Sequence, residues 1–280
     1  MRKLRTAIAL MTLICLLTPC ASAAKKAKPT ATPEPRNITR EVVQDLPETI
    51  QAVVDIAYAE WDSLHGKSLP RSNKYTKWWN NGQWGWCAGF VTWVMLEAGV
   101  PQDYEEYILS QPEGSIEGIF HCKGSSPSKL IHSYLHMDRT TMIPQRGFIV
   151  VYGEDSNRWT HVGIVYDVRE LDDGRYRITT IEGNMSNRVK MYIYDYDPDK
   201  AFSYKNKYPD NSNVSAVPEE DWEGEIDKNF RTYEIHTKSG NKKKPWYVTC
   251  FLMPWIPEDY MGDGSGTVYG DGYPTPPPEN

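Results

Sequence analysis

Between Gly147 and Tyr194, four short apolar segments alternate with clusters of turn residues. GFIVVY is followed by GEDSN, THVGIVYDV by LDDG, RYRITTIEG by NMSNR, and VKMYIY closes the run. Segments of this length, rich in β-branched and aromatic residues and broken by Gly, Asp and Asn, predict strands joined by hairpins, hence an antiparallel meander. Side chains alternate along a strand, so His161, Gly163 and Val165 share one face of the second strand and Val162, Ile164 and Tyr166 share the other. If the hairpin that follows turns about Asp172-Asp173, facing residue numbers add to 345 and His161 lies opposite Asn184. A different loop type moves this pairing by about two residues. Glu182 shares a face with Asn184, so His161, Glu182 and Asn184 are expected together at one end of the sheet. An imidazole beside a carboxylate and an amide is the arrangement that orients a catalytic base. A polar rim at a sheet end has the same sequence appearance.

Helices must cover such a sheet. From Leu46 to Trp61, the residues Ile50, Val53, Val54, Ile56, Ala57 and Trp61 recur at helical spacing, and Pro47 suits the first turn. After Cys87, the residues Phe90, Val91, Val94, Met95 and Ala98 form a broad apolar helical face, with Gly99 and Pro101 as stop signals. Cys87 therefore stands at or next to a helix N-terminus, where free N–H groups and the positive end of the dipole stabilise a thiolate. On this segment alone, a cysteine serving as a small buried hydrophobe is the competing reading. The preceding NKYTKWWNNGQWGW holds Trp78, Trp79, Trp84 and Trp86. These could line a peptide or glycan groove, at least two of them being expected in the core. Gln83 could donate to an oxyanion.

With 31 basic and 37 acidic residues and a net charge of −6, the chain has no basic excess to neutralise nucleic-acid phosphates. Its 34 aromatic residues argue against a disordered chain. Arg2, Lys3 and Arg5 precede an apolar run of eleven residues, Ala7 to Leu17, then Pro19 and Ala21-Ser22-Ala23. That pattern predicts a cleavable export signal over 1–23 and no stable membrane insertion, the run being too short to span a bilayer. Pro19 disfavours a lipid on Cys20. The remaining 257 residues carry a net charge of −9. Residues 24–36 read as a linker, 37–258 as one catalytic domain, and 259–280, rich in Gly, Asp and Pro, as a disordered tail. Within the domain, residues 201–246, with Tyr204, Tyr208, Trp222 and Tyr233, read as an insertion. It is either a wall over a groove or, the preferred expectation, a solvated excursion.

Export leaves Cys87, Cys122 and Cys250, an odd number. One outcome of that arithmetic is a Cys122–Cys250 disulfide with Cys87 free. No CxxC pair exists, and no metal or cofactor is expected. Asp195, Asp197 and Asp199 begin like a calcium loop, but Lys200 replaces its turn glycine and Asn206 its closing Glu. His121 and Cys122 are adjacent, so in an extended segment their side chains diverge and form no dyad.

A cysteine, a histidine and a polar orienting group, in that chain order, are the parts of a thiol hydrolase. WGWCAGFVTWVMLEAGVP, HVGIV and IEGN together resemble the CHAP domain, the cysteine- and histidine-dependent amidohydrolases/peptidases of bacterial cell-wall hydrolysis. KYTKWW also resembles a stretch upstream of the cysteine in exported members. The resemblance covers roughly residues 46–194. It implies Cys87 as nucleophile, His161 as base, and Glu182 and Asn184 as supports of the histidine. It implies an α+β, papain-like fold, in which N-terminal helices include the nucleophile helix packed on an antiparallel meander. It further implies a secreted, wall-associated enzyme, expected as a monomer, acting on peptidoglycan as endopeptidase or N-acetylmuramoyl-L-alanine amidase. Pro144-Gln145-Arg146-Gly147-Phe148 departs from the family, which often has Asp where Phe148 stands. A secreted cysteine protease acting on proteins, and a non-catalytic wall-binding protein of the same fold, are the alternatives.

Overall fold

The computed structural model describes residues 41–78, 85–155, 158–200, 212–224, 226–237 and 245–257. The expected export signal, linker and tail, and the expectations for Trp79, Gln83, Trp84, Tyr204, Asn206 and Tyr208, lie outside the described residues.

Five helices are described: α1 (Glu48–Leu64), α2 (Lys74–Lys77), α3 (Cys87–Glu97), α4 (Glu105–Ser110) and α5 (Pro127–His136). Pro47 is the N-cap of α1 rather than part of its first turn, and Ile50, Val53, Val54, Ala57 and Trp61 form the buried stripe read from sequence. In α3 the buried positions run almost all the way round the helix. Gly99, at φ 76°, ends it in the left-handed region, and the Val100 N–H returns to the Met95 carbonyl at 2.9 Å. Helix α5 has Pro127 at its start, with the Ser126 hydroxyl accepting from the Lys129 N–H.

Strands β1 (Gln102–Asp103) and β2 (His121–Cys122) form a small parallel pair. The main sheet holds β3 (Thr140–Thr141), β4 (Ile149–Asp155), β5 (Arg158–Glu170), β6 (Tyr176–Glu182), β7 (Lys190–Tyr196), β8 (Val214–Ala216), β9 (Arg231–Thr232) and β10 (Tyr247–Leu252). Its order is β3-β10-β4-β5-β6-β7-β8, with β9 parallel to β7. The expected meander is the antiparallel centre, β4 to β7. The whole is a mixed α+β arrangement.

The register between β5 and β6 is reached by a route the sequence does not reveal. Next to the loop, Glu170 faces Tyr176, a pairing number of 346, because the turn runs from Leu171 to Arg175. A bulge between Val165 and Asp167 then returns the pairing to 345, with Ile164 facing Ile181. The extra residue at Tyr166 compensates for the loop, so the end of the sheet carrying His161 and Glu182 assembles as the alternation predicts.

Both faces of the sheet are covered. On one, Phe90, Val91 and Val94 of α3 and Val53 and Ala57 of α1 join Val162, Ile164 and Ile181. On the other, Val150, Tyr152, Val165, Ile178 and Tyr194 pack with Phe251 and Trp255. Phe148 belongs to this second cluster, edge-on to Trp255 at 5.7 Å, so the family's polar strand-start position is here a core position. Gly147 beside it has φ 79°, and a Cβ there would come within 2.4 Å of Ile50 Cγ2.

The described part of the 201–246 region is not a solvated excursion. β8 pairs with β7, and Val214, Val217, Tyr233 and His236 are buried. Its buried residues, among them Asn213, Val214, Thr232 and Tyr233, are scattered through a largely polar stretch, so no periodic apolar pattern marks them. Asp195, the first residue of the calcium-like run, lies in β7 and binds Arg177 of β6 through Nε at 2.8 Å and Nη2 at 3.2 Å. Among the described residues, no helix is long and apolar enough to cross a membrane, and no cluster of three His, Cys, Asp or Glu is placed to hold a metal ion.

The Cys122–Cys250 disulfide does not form: Cys87, Cys122 and Cys250 are buried thiols with no S–S bond among them. Cys122 lies in the small sheet, where its sulfur receives the Ser133 hydroxyl of α5 at 3.1 Å, whereas Cys250 lies in β10 of the main sheet. Thiol titration of the chain from Ala24 onward, denatured without reductant, should therefore count three thiols. A count of one would restore the bridge.

Candidate active site

The start of α3 is held from outside. Asn73 caps α2 by accepting from the Tyr75 N–H at 2.9 Å, while Thr76 accepts from the Asn73 N–H at 3.0 Å. Tyr75 stacks on Trp86 at 5.2 Å and meets Phe90 edge-on at 5.1 Å. Trp86 is the N-cap of α3 and is buried, and a Cβ on Gly89 would stand 2.9 Å from the Tyr75 carbonyl oxygen. This packing fixes where the helix begins and so where Cys87 is presented. Of the four tryptophans, two lie among the described residues. Trp86 is in the core, and Trp78 is half-buried with its Nε1–H on the Tyr75 carbonyl.

Cys87, His161 and Glu182 are 5%, 4% and 0% exposed, so every charge among them is desolvated and must be matched inside the site. The His161 ring and the backbone N–H groups of Ala88 and Val162 lie around the sulfur and favour its anion. His161 Nε2 donates to Glu182 Oε2 at 2.8 Å, which leaves Nδ1 for the sulfur. Glu182 Oε1 accepts from the Tyr152 hydroxyl at 2.7 Å and the Thr180 hydroxyl at 2.6 Å.

The electrostatics follow. Burial pushes the Cys87 thiol up, but the hydrogen bond and charge of His161 and the two backbone N–H groups outweigh it and hold the thiol below its ordinary value. Burial pulls His161 down, yet its hydrogen bonds to Cys87 and Glu182 and their charges lift it to about 10. Burial also pushes the Glu182 carboxyl up, and the charge of His236 with the hydrogen bonds of both histidines holds it well below the carboxylate range. Each charge favours the next, so thiolate, imidazolium and carboxylate support one another and the three groups titrate as one unit.

The structure thus brings Cys87, His161 and Glu182 together. Asn184 lies at the same end of the sheet but elsewhere. It has φ 66°, a left-handed conformation that Asn tolerates, and its Nδ2 stands 3.3 Å from where a Cβ on Gly85 would be. Its amide therefore lies against the segment leading into Cys87, whereas the ring partners of His161 among the described residues are Cys87 and Glu182.

Sequence reasoning missed Tyr152, Thr180 and His236. Thr180 shares Glu182's face by alternation, and Tyr152 faces His161 across β4 and β5, so both were accessible once the hairpins were drawn. His236 arrives from a distant segment and had no such signal. His121 and Cys122 form no dyad. The His121 ring binds Thr92 at 3.1 Å and Tyr134 at 2.9 Å, and burial drives it down to about 3. Burial pushes the Cys122 thiol up to about 11.

Residues 77–184 match the family model of the CHAP domain. The match contains Cys87, His161, Glu182 and Asn184 and ends at the last of them, leaving α1 and everything from Met185 onward outside it. Searches among curated proteins and among solved structures found no match.

Proposed function

We propose that this chain is an exported cysteine hydrolase that cleaves an amide bond in the peptide portion of peptidoglycan, with Cys87 as nucleophile, His161 as base and acid, and Glu182 and Asn184 as their supports. The observation that carries this reading is that buried Cys87 and His161 act on each other's charge while His161 Nε2 holds Glu182 Oε2 at 2.8 Å, all inside the CHAP match. In this reading the thiolate attacks the amide carbonyl carbon, and the free N–H groups of the first turn of α3 supply donors to the oxyanion. The imidazolium protonates the leaving amine as the C–N bond breaks, giving a thioester. The neutral imidazole then takes a proton from water, whose attack releases the carboxylic acid and the thiolate.

The finer proposal is an endopeptidase of the stem or cross-bridge, since the tryptophan-rich sequence ahead of Cys87 suits a peptide groove. Export through residues 1–23 places the enzyme at the wall. A net charge of −9 after export provides no general attraction to anionic wall polymers, so any targeting is local or absent.

Sacculi digested with the protein should gain free amino groups and no reducing sugar ends, because a thiol–imidazole pair has no means of opening an acetal. Mass spectrometry of the soluble products should show split stems or bridges. Intact stems freed from muramic acid would reassign the cut to the amidase bond. Clearing of casein gels with intact sacculi would favour the protease reading, and new reducing ends without amines would overturn the mechanism.

A further inference from the structure

Glu182 is shared by two imidazoles. His236 Nε2 lies 2.9 Å from Glu182 Oε2 and 3.2 Å from Oε1, so it bridges both oxygens. The two hydroxyl donors, Tyr152 and Thr180, reach Oε1. His236 therefore donates to Oε1 and also stands at ion-pair distance from Oε2, the oxygen that accepts from His161. A carboxylate anchored through one oxygen can still swing the other. The bridging contact opposes that swing and keeps Oε2 on His161.

His236 is itself locked by aromatic rings. Tyr192 is 4.2 Å away, Tyr152 4.7 Å and edge-on, Trp246 5.1 Å, and the His161 ring 5.7 Å. It also forms part of the wall of a cavity of about 180 Å³, with Lys190, Tyr192, Lys228, Glu234 and Trp246. Glu182 is fully buried and does not line that cavity. His236 thus stands between the carboxylate and space that water can enter. A carboxylate kept from water interacts more strongly with an imidazolium than a hydrated one does. His236 lies beyond residue 184, outside the CHAP match, on a segment tied to the sheet through β9.

We propose that His236 is a positioning residue of this site: it holds the Glu182 carboxylate against His161 and seals it from the adjoining cavity. The inference rests on the thiol reading above. The titratable groups around His236 are His161, Glu182, Tyr152 and Tyr192, with Lys190, Lys228 and Glu234 across the cavity. Their contributions are common to the intact protein and to any variant of His236 alone.

The test reads Cys87 directly and needs no substrate. Iodoacetamide alkylation of the full chain is followed against pH, with Cys87 identified by peptide mass spectrometry. In the unmodified sequence Cys87 should react well below the ordinary thiol range. His236→Phe keeps a ring but has no donor, and it should slow the reaction roughly tenfold at about pH 5 while converging on the parent rate above about pH 9. His236→Gln, whose amide can donate to the carboxylate, should recover most of the loss. A role confined to stability would lower the melting temperature and leave the alkylation profile unmoved. Should His236→Phe not fold, His236→Ala is measured with and without added imidazole. Slow acid-range alkylation that imidazole restores supports the inference; alkylation as fast as the parent's without imidazole overturns it. A parent Cys87 with no reactivity below neutral pH would overturn the thiolate pair and this inference together. A parent profile that persists in the variants counts against His236 alone.

Discussion

On the proposed mechanism, Cys87→Ala should lower amide hydrolysis by roughly 10⁴-fold or more, about 5.5 kcal/mol of transition-state stabilisation, while the protein keeps its fold. The loss is expected to be this large because neither other cysteine among the described residues is placed to take the role. Cys122 and Cys250 are buried in other parts of the structure, and burial holds the Cys122 thiol near 11. The fold survives because the change removes a single sulfur from the end of α3, whose start is set by Trp86 and Tyr75 and not by the thiol. Cys87→Ser fails almost as completely. A hydroxyl in the same place has no accessible anion, so His161 keeps only Glu182 as a negative partner and the nucleophile itself is not ionised. Turbidity loss of wall suspensions measures the activity, and circular dichroism confirms the fold. In the unmodified chain, iodoacetamide should label Cys87 before either other cysteine. Full lysis by the alanine variant would end the thiol mechanism.

How far the sequence reaches differs from element to element. The helix after Cys87 and the four strands from Ile149 to Tyr196 were legible because their signals are local: an apolar face ended by Gly99, and alternation broken by turn residues. The meeting of His161 with Glu182 was also legible, although through a register count that held only because the bulge at Tyr166 offsets the Leu171–Arg175 loop. Single-sequence patterning sees neither the bulge nor the loop geometry. The division of labour between Glu182 and Asn184 was not legible either. Two residues apart on one face, both are candidates, and it is the left-handed backbone at Asn184 that turns its amide toward Gly85. The disulfide expectation failed because counting cysteines carries no information on which sheet holds each. His236 was invisible because its contact with Glu182 spans 54 positions of the chain and lies in a polar stretch.

Glu182→Gln should cost roughly 10²- to 10³-fold in turnover, more than Asn184→Ala, and should move the pH–rate profile. The carboxylate accepts on both oxygens: Tyr152, Thr180 and His236 donate to Oε1 and His161 to Oε2, with His236 also 2.9 Å from Oε2. Glutamine has one acceptor oxygen and one NH₂ group that only donates. Whichever way the amide is turned, its N–H groups face a donor. If they face His161, the ring must give up its Nε2 proton and carry it on Nδ1 instead. That is the tautomer in which the nitrogen facing Cys87 cannot act as a base. The charge is lost as well. His161 stays protonated up to about 10 because its bonds and charges from Cys87 and Glu182 overcome the opposing effect of burial. With Glu182 neutralised, the upper limb of the profile, where the imidazolium loses its proton, should fall by roughly one to two units. The sign for stability runs the other way along the pH axis. The folded-state value of Glu182 lies below its ordinary 4.5, so the stability it contributes is complete above that pH and is lost as acid approaches the folded value. The gap in melting temperature between the parent and Glu182→Gln should therefore narrow on acidification below about pH 4.5. An unchanged profile in Glu182→Gln together with a large loss in Asn184→Ala would transfer the principal support of His161 from the carboxylate to the amide.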